Sequence, residues 1–320
     1  MYLIRGQHNL RAFKKKFPGV KLSGTIGNFD GLHLGHQAIL KKIKSNSKKY
    51  NAKTIVFFTE PHAKEYFAKI KNEKFQAPPR ICPWREKVKL LDKYDIDFAF
   101  FLKFNDSLRT MTPEEFISNI LNSIDLVSFT VGDDFKLGAN RKGNIDLLKE
   151  WGEQNNIMIE NTETILFKNK RISSSRIREA LLDDNFSLAE KMLGRSYEFS
   201  GKVVHGQHLG RTIGIPTANI WIPKQKLPID GVYAVQCYLN DKKLYGIANM
   251  GVRPTVDGKK PVLEIHIFNF EKNIYSERLT VKFVKKIRKE KKYDNLDMLK
   301  LQIQKDILIA KKILLDPNGN

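Results

Sequence analysis

Two histidines three residues apart, His33 and His36, lie in the stretch TIGNFDGLHLGHQAIL. Imidazoles bind metals, satisfy backbone groups or donate to phosphates. A metal needs a third ligand, commonly a carboxylate or cysteine nearby, and no HExxH-like pattern accompanies this pair. The flanking glycines favour phosphate over a purely structural role. The stretch runs from a strand end through a glycine-rich turn into a helical run. A helix start there offers free N–H groups and a partial positive charge. Gly31 and Gly35 let the backbone approach an anion, and both imidazoles fall on one side of the first helical turn.

Two other stretches suit phosphate chemistry. ISSSRIREAL places Ser173, Ser174, Ser175 and Arg178 at a predicted helix start. Hydroxyls and a guanidinium there suit a leaving pyrophosphate, although a lone serine cluster is more often a helix cap. HGQHLGRTIGIPTANI (His205–Ile220) is glycine-rich without being a P-loop. Gly206, Gly210 and Gly214 allow a loop to fold over phosphates, and Thr217 and Asn219 offer hard oxygen ligands for Mg²⁺. A plain β-turn leading into a strand is the alternative for these residues taken alone.

The elements that must hold these residues fall into two rhythms. Up to about residue 183, the apolar runs TIVFF, DFAFFLKF and LVSFTVG alternate with helical runs such as REKVKLLDKY and NIDLLKEWGEQN. In TPEEFISNILNSI, Thr112 is the expected N-cap, Pro113 opens the helix and Glu115 closes a capping box. Such alternation predicts a parallel sheet with helices on both faces. From Tyr197 strand candidates follow one another: YEFSGKVV, TANIWI, GVYAVQCYL, KKLYGIANM, VLEIHIFNF and RLTVKFV. Asn240-Asp241 reads as a hairpin turn, and the whole as an antiparallel barrel. A closing helix carries the stripe Leu296, Leu299, Ile303, Ile307, Ala310 and Leu314. The boundary falls near Asp183–Ser196, after one or two short helices.

A chain of 320 residues, 41% hydrophobic, is long enough for two domains with real cores. No run reaches the ~18 apolar residues of a membrane span, and the first residues lack a secretory signal pattern. Cys82 and Cys237 form no CxxC pair or disulfide ladder, so a cytoplasmic location is expected. The net charge is +21, from 56 Lys+Arg against 35 Asp+Glu. The lysines are spread along the chain with no nucleic-acid motif, so anionic small molecules are the expected partners rather than nucleic acid.

GNFDGLHLGH closely resembles the HxGH signature of nucleotidylyltransferases, and ISSSRIREAL resembles their second signature. VGDDFKLGANRKGN, FFTEPH and APPRICPWREKVKLL resemble blocks of the bacterial bifunctional riboflavin kinase/FAD synthetases. GRTIGIPTAN is similar to the PTAN motif of riboflavin kinases, and GVYAV, GIANMGVRPTV and LEIHIFNF follow in that family's order. The resemblance covers essentially all 320 residues.

It implies a Rossmann-like α/β adenylyltransferase domain over residues 1–183 and a β-barrel kinase domain ending in a helix over 184–320. It implies ATP contacts at Gly27, Asn28, Phe29, Asp30, Gly31, His33, Gly35, His36, Ser173, Ser174, Ser175 and Arg178. Flavin contacts fall on Asp133, Phe135 and Asn140. Kinase ATP contacts fall on Gly206, Gly210, Arg211, Gly214, Pro216, Thr217 and Asn219, with Mg²⁺ near Thr217 and Asn219 and Glu264 as catalytic base. Leu137 and Ser175 stand where that family commonly has phenylalanine and threonine. The implied ligands are riboflavin, FMN, FAD and ATP, with no membrane partner. Rival readings are a kinase whose adenylylation site has drifted, a basic nucleic-acid-binding protein and a flavin store without turnover.

Overall fold

The strand runs of the first half are buried on both faces, with small polar residues such as Ser23, Thr25, Ser128 and Thr130 among the apolar ones, because helices cover their sheet on both sides. The computed structural model describes residues 1–70, 77–206, 209–222, 227–255 and 258–315. Its contacts divide the chain into two compact units, residues 1–78 with 84–173, and residues 79–83 with 174–320.

The first unit contains, in chain order, β1 (Tyr2–Arg5), α1 (Leu10–Lys16), β2 (Leu22–Ile26), α2 (Leu34–Lys49), β3 (Lys53–Glu60) and α3 (Ala63–Ile70). There follow α4 (Trp84–Lys93), β4 (Phe98–Lys103), α5 (Asp106–Thr110), α6 (Pro113–Asn119), β5 (Leu126–Gly132) and α7 (Ile145–Asn155). β6 (Met158–Thr162) and a small hairpin, β7 (Leu166–Phe167) and β8 (Lys170–Arg171), complete it. The main sheet runs β1-β4-β3-β2-β5-β6 and every adjacent pair is parallel. Chain order reverses between β2 and β5, and in such sheets ligands bind beyond the carboxyl ends of the strands at that point. Gly27–Gly31 follows β2 and Asp133–Phe135 follows β5.

Alternation along the strands builds two cores. Phe57 and Phe100 point to one face with Phe13, Phe116, Phe129 and Trp151. Val56, Phe58, Ala99 and Phe101 point to the other, against Leu40 and Ile43 of α2 and Leu91 of α4. Each fully buried phenylalanine contributes about 1.5–3 kcal/mol. The predicted capping box of α6 is present: Thr112 Oγ1 accepts from Glu115 N at 3.2 Å, and Glu115 Oε2 accepts from Thr112 N at 2.8 Å.

The second unit opens with two short helices, α8 (Ser174–Leu182) and α9 (Phe186–Leu193). Then come β9 (Glu198–Val204), α10 (Leu209–Thr212), β10 (Ala218–Ile220), β11 (Gly231–Leu239), β12 (Lys242–Thr255), β13 (Gly258–Ile267), β14 (Arg278–Arg288) and α11 (Leu296–Leu315). β9 to β14 form a closed antiparallel barrel in the order β10-β13-β12-β11-β14-β9. Pairing of β9 with β10 closes it. Asn240 and Asp241 take φ of 45° and 64°, the doubly left-handed geometry of a tight hairpin.

The stripe of α11 seats only in part. Ile303, Ile307, Ala310 and Leu314 pack with Ala234 and Ile247 of the barrel. Leu296 remains 50% exposed, and with Leu299 it borders a cavity instead of the core. Asp306, almost wholly buried, fastens the helix by accepting from Arg288 Nε at 2.9 Å and from its second guanidinium nitrogen at 2.8 Å. A second latch ties the α8–α9 turn to the barrel: Lys286 Nζ lies 2.9 Å from Asp184 and 3.3 Å from Asp230. The fully buried Tyr233 hydroxyl sits 2.7 Å from Asp230 O and 3.1 Å from Asp184 Oδ1. Among the described residues no helix is long and apolar enough to cross a membrane.

Burial pushes the Cys237 thiol up from 9.0 to about 12, and burial with the Asp184 charge raises Tyr233 from 10.0. A proton held more tightly in the folded state stabilises that state below the unfolded value and ceases to do so as pH climbs. The Cys237 contribution, about 4 kcal/mol at most, is therefore full below pH 9 and lost between pH 9 and about 12. Thermal melts should show Cys237→Ala losing stability less steeply than the parent over that interval. Parallel curves would contradict this.

Candidate functional sites

In the first unit the turn after β2 is held in an uncommon backbone shape. Phe29, Gly31 and Leu32 have φ of 48°, 81° and 40°. Left-handed geometry at a non-glycine residue costs about 1–3 kcal/mol and persists only where the surroundings enforce it. Phe29 and Leu32 are wholly buried in the α2/α4 core, Asp30 is 1% exposed, and Gly27 N donates to Phe57 O at 3.0 Å.

His33 is the N-cap of α2, and its Nδ1 accepts from His36 N at 3.3 Å. The two rings stack 3.6 Å apart, 18° from parallel, so the pair presents two imidazoles side by side at the helix start. Gly35 leaves room for this: a Cβ there would lie 3.2 Å from the His33 ring and 3.9 Å from Ile172 O. The chain entering Ser173 therefore passes the first turn of α2. Ser174 and Ser175 begin α8, as the spacing predicts, and Arg178 Nε donates to Pro79 O at 2.8 Å.

Lys87 is a residue that the sequence reading passed over. Its side chain is wholly buried, its Nζ donates to Asn28 O at 2.6 Å and lies 4.5 Å from the Phe58 ring centroid. The signal was present: Lys87 stands on the same stripe of α4 as Trp84, Val88 and Leu91. A lysine amid an apolar stripe implies a buried partner.

The flavin-side expectations land in different surroundings. Arg171 bridges Asp133 at 3.2 Å and Asp134 at 2.8 Å, and Thr164 Oγ1 donates to Asp133. Phe135 packs against the core, and Asn140 is exposed with φ 54°. Leu137 is a core residue, 7% exposed, whose backbone pairs with Gly143. Its departure from phenylalanine is thus a change of packing.

In the barrel, Glu264 of β13 lies opposite Asn219 of β10 on one side and Asn249 of β12 on the other. Opposed residues share a face, so the three form a polar row across three strands. The glycine-rich stretch before β10 differs from the open loop expected: Leu209–Thr212 is a helical turn, closed by Ile215 N donating to Gly210 O at 2.7 Å. Gln207 and His208 of that stretch lie outside the described residues. Gly214 has φ 76°, and a Cβ on Gly206 would lie 2.3 Å from Asn219 Nδ2. Only glycine at 206 leaves the Asn219 side chain its place. His266, two residues beyond Glu264, holds the turn from the other side, its Nδ1 2.9 Å from Pro216 O.

Two cavities meet here. One of about 480 Å³ is bordered by Thr217, Asn249 and Glu264 together with Ile215, Ile247 and Leu299. Another of about 160 Å³ is bordered by Arg211, Pro216, Thr217, Lys272 and Tyr275. Thr217 belongs to both. The donors present fit a hard cation: a hydroxyl at Thr217, an amide at Asn219 braced by Gly206, and the Glu264 carboxylate opposite it.

The fold and these sites define a class, a two-unit transferase in which a parallel α/β nucleotide-type unit precedes a closed barrel with its own cavity. The family model for FAD synthetase matches residues 20–176 and that for riboflavin kinase matches residues 193–314. A bifunctional riboflavin kinase/FMN adenylyltransferase of Haemophilus influenzae is 41% identical over 97% of this chain and 98% of its own. One of Escherichia coli K12 is 42% identical over 98% of this chain and 97% of its own. A Streptococcus pneumoniae crystal structure, described as a macrolide-efflux protein, superposes with a TM-score of 0.78 at 27% identity over 99% of both chains. The chain belongs to the bifunctional riboflavin kinase/FMN adenylyltransferase family.

Proposed function

We propose that the chain converts riboflavin to FMN and FMN to FAD in two separate sites, with ATP as the second substrate of each step. Residues 1–183 serve adenylyl transfer and residues 184–320 phosphorylation. The observation that carries the kinase reading is Thr217, which borders both barrel cavities, with Glu264 in the wider one. Apolar walls and a polar row suit a ring system bearing a hydroxylated chain, and Arg211 and Lys272 on the narrower cavity suit the phosphates of the nucleotide.

In the barrel, Glu264 accepts the proton of the ribityl 5′-hydroxyl as its oxygen attacks the γ-phosphorus of ATP, and ADP leaves. Thr217 and Asn219 would hold Mg²⁺, which when bound offsets the charge of the transferring phosphate. In the first unit the phosphate of FMN attacks the α-phosphorus of ATP and pyrophosphate leaves. His33, His36 and the start of α2 stabilise the anionic transition state, with the Ser173–Ser175 hydroxyls and Arg178 on the leaving group. Asp133, Phe135 and Asn140 border the flavin. The two buried thiols, Cys82 and Cys237, suit a cytoplasmic setting.

Incubation with riboflavin, ATP and Mg²⁺, with flavins resolved over time, tests this. FMN should rise first and FAD follow. FMN that accumulates without FAD would leave the kinase alone.

Lys87→Met should lower kcat for adenylyl transfer about 10- to 100-fold, because it releases the Asn28 carbonyl and a shift of ~1 Å in a phosphate-binding turn has effects of that order. A thermal melt followed by circular dichroism serves as the folding control, and phosphorylation of riboflavin by the same chain should stay unchanged. FAD formation at the parent rate would exclude a role for Lys87 in holding the turn.

A further inference from the structure

The kinase mechanism uses two members of the polar row and leaves the third, Asn249, without a task. Its Oδ1 is buried and has no hydrogen-bond partner among the described residues. It borders the wider cavity beside Glu264, on the same face as Ile247. Buried amide oxygens without a donor are rare, and those that persist commonly receive one from a ligand or water.

Among the described residues none of the cavity's donors, Thr217 and Asn295 included, bonds it. Ile247 is apolar, and an ionised Glu264 only accepts. Arg288 is committed to Asp306, and His266 turns its Nδ1 to Pro216 O. Lys291 and Tyr293 border the same cavity and neither bonds the amide. The oxygen is thus open to a donor among the cavity's contents, and the substrate assigned to it bears three secondary hydroxyls on the chain that ends in the reacting one.

We infer that Asn249 reads the sugar chain of the flavin: its Oδ1 accepts a hydrogen bond from a secondary ribityl hydroxyl while Glu264, one strand away, faces the primary hydroxyl. Opposed residues on neighbouring strands stand ~5 Å apart, a span that a few carbons of an extended polyol cover. The contact would fix the chain at two points and set the distance between the primary oxygen and the carboxylate. It would also discriminate against flavins whose side chain lacks that hydroxyl, since the amide oxygen would then stay unpaired. This inference rests on the kinase reading of the barrel.

The test pairs variants with analogues. Riboflavin and three analogues, each lacking one secondary hydroxyl, are phosphorylated by the parent and by Asn249→Ala and Asn249→Leu. With the parent, one analogue should lose about tenfold in kcat/KM, and with riboflavin both variants should lose about the same factor (about 1.4 kcal/mol). Combining variant and that analogue should add nearly nothing, the mark of a shared contact. Losses that multiply, or a parent indifferent to all three deletions, would overturn the inference. The parent series stands even where a variant fails to fold, and FAD formation from FMN checks the folding of the first unit only. A parent that phosphorylates neither riboflavin nor any analogue would instead defeat the kinase reading itself.

Discussion

Replacing His33 and His36 together by alanine should abolish FAD formation from FMN and ATP, by at least about a thousandfold. Removing one preorganised donor to a transition-state oxyanion costs ~10²–10³ in kcat, and this substitution removes two groups at one helix start. The structural penalty is smaller. His33 caps α2 through the bond from His36 N, and loss of an N-cap is worth ~1 kcal/mol. Circular dichroism and a melt should therefore show a folded first unit. Conversion of riboflavin to FMN by the same chain should change by less than about twofold, as for substitutions with no shared partners. If the histidines only capped the helix, FAD would still form at near the parent rate.

Glu264→Gln should do the reverse. A positioned general base contributes ~10²–10⁴, so FMN formation should fall by about that factor while FMN supplied directly is still made into FAD. Glutamine keeps the size and leaves the strand register intact, which separates chemistry from folding. The competing role for a glutamate on a barrel strand is a solvated charge, and that role predicts an unchanged rate. The surroundings oppose it: Glu264 stands between two asparagines and borders the cavity that Thr217 shares with the neighbouring one.

Much of this arrangement could be read from local sequence because the relevant physics is local. Thr112, Pro113 and Glu115 make their capping box within four residues. Asn240-Asp241 specifies its hairpin by tolerating positive φ. The glycines around His33 and His36 mark a turn into a helix, and that is where the turn lies. What the sequence left closed depends on register between distant strands. Nothing local says that Asn219, Glu264 and Asn249 line up, since their alignment is a property of three strands together. The left-handed φ at Phe29 and Leu32 has no local signature either, for it accompanies the burial of both side chains in the α2/α4 core. The half-seated stripe of α11 is a similar case: Leu296 and Leu299 fit the helical period, but a cavity lies beneath them where a core was expected.

Adenylyl transfer and phosphorylation run at two separate sites, joined only by the traffic of FMN. Mixing the two disabled proteins tests this most directly. The histidine double variant alone should stop at FMN, and Glu264→Gln alone should leave riboflavin almost untouched. An equimolar mixture supplied with riboflavin, ATP and Mg²⁺ should restore FAD after a lag during which FMN accumulates. A mixture that makes FMN but no FAD would contradict the account.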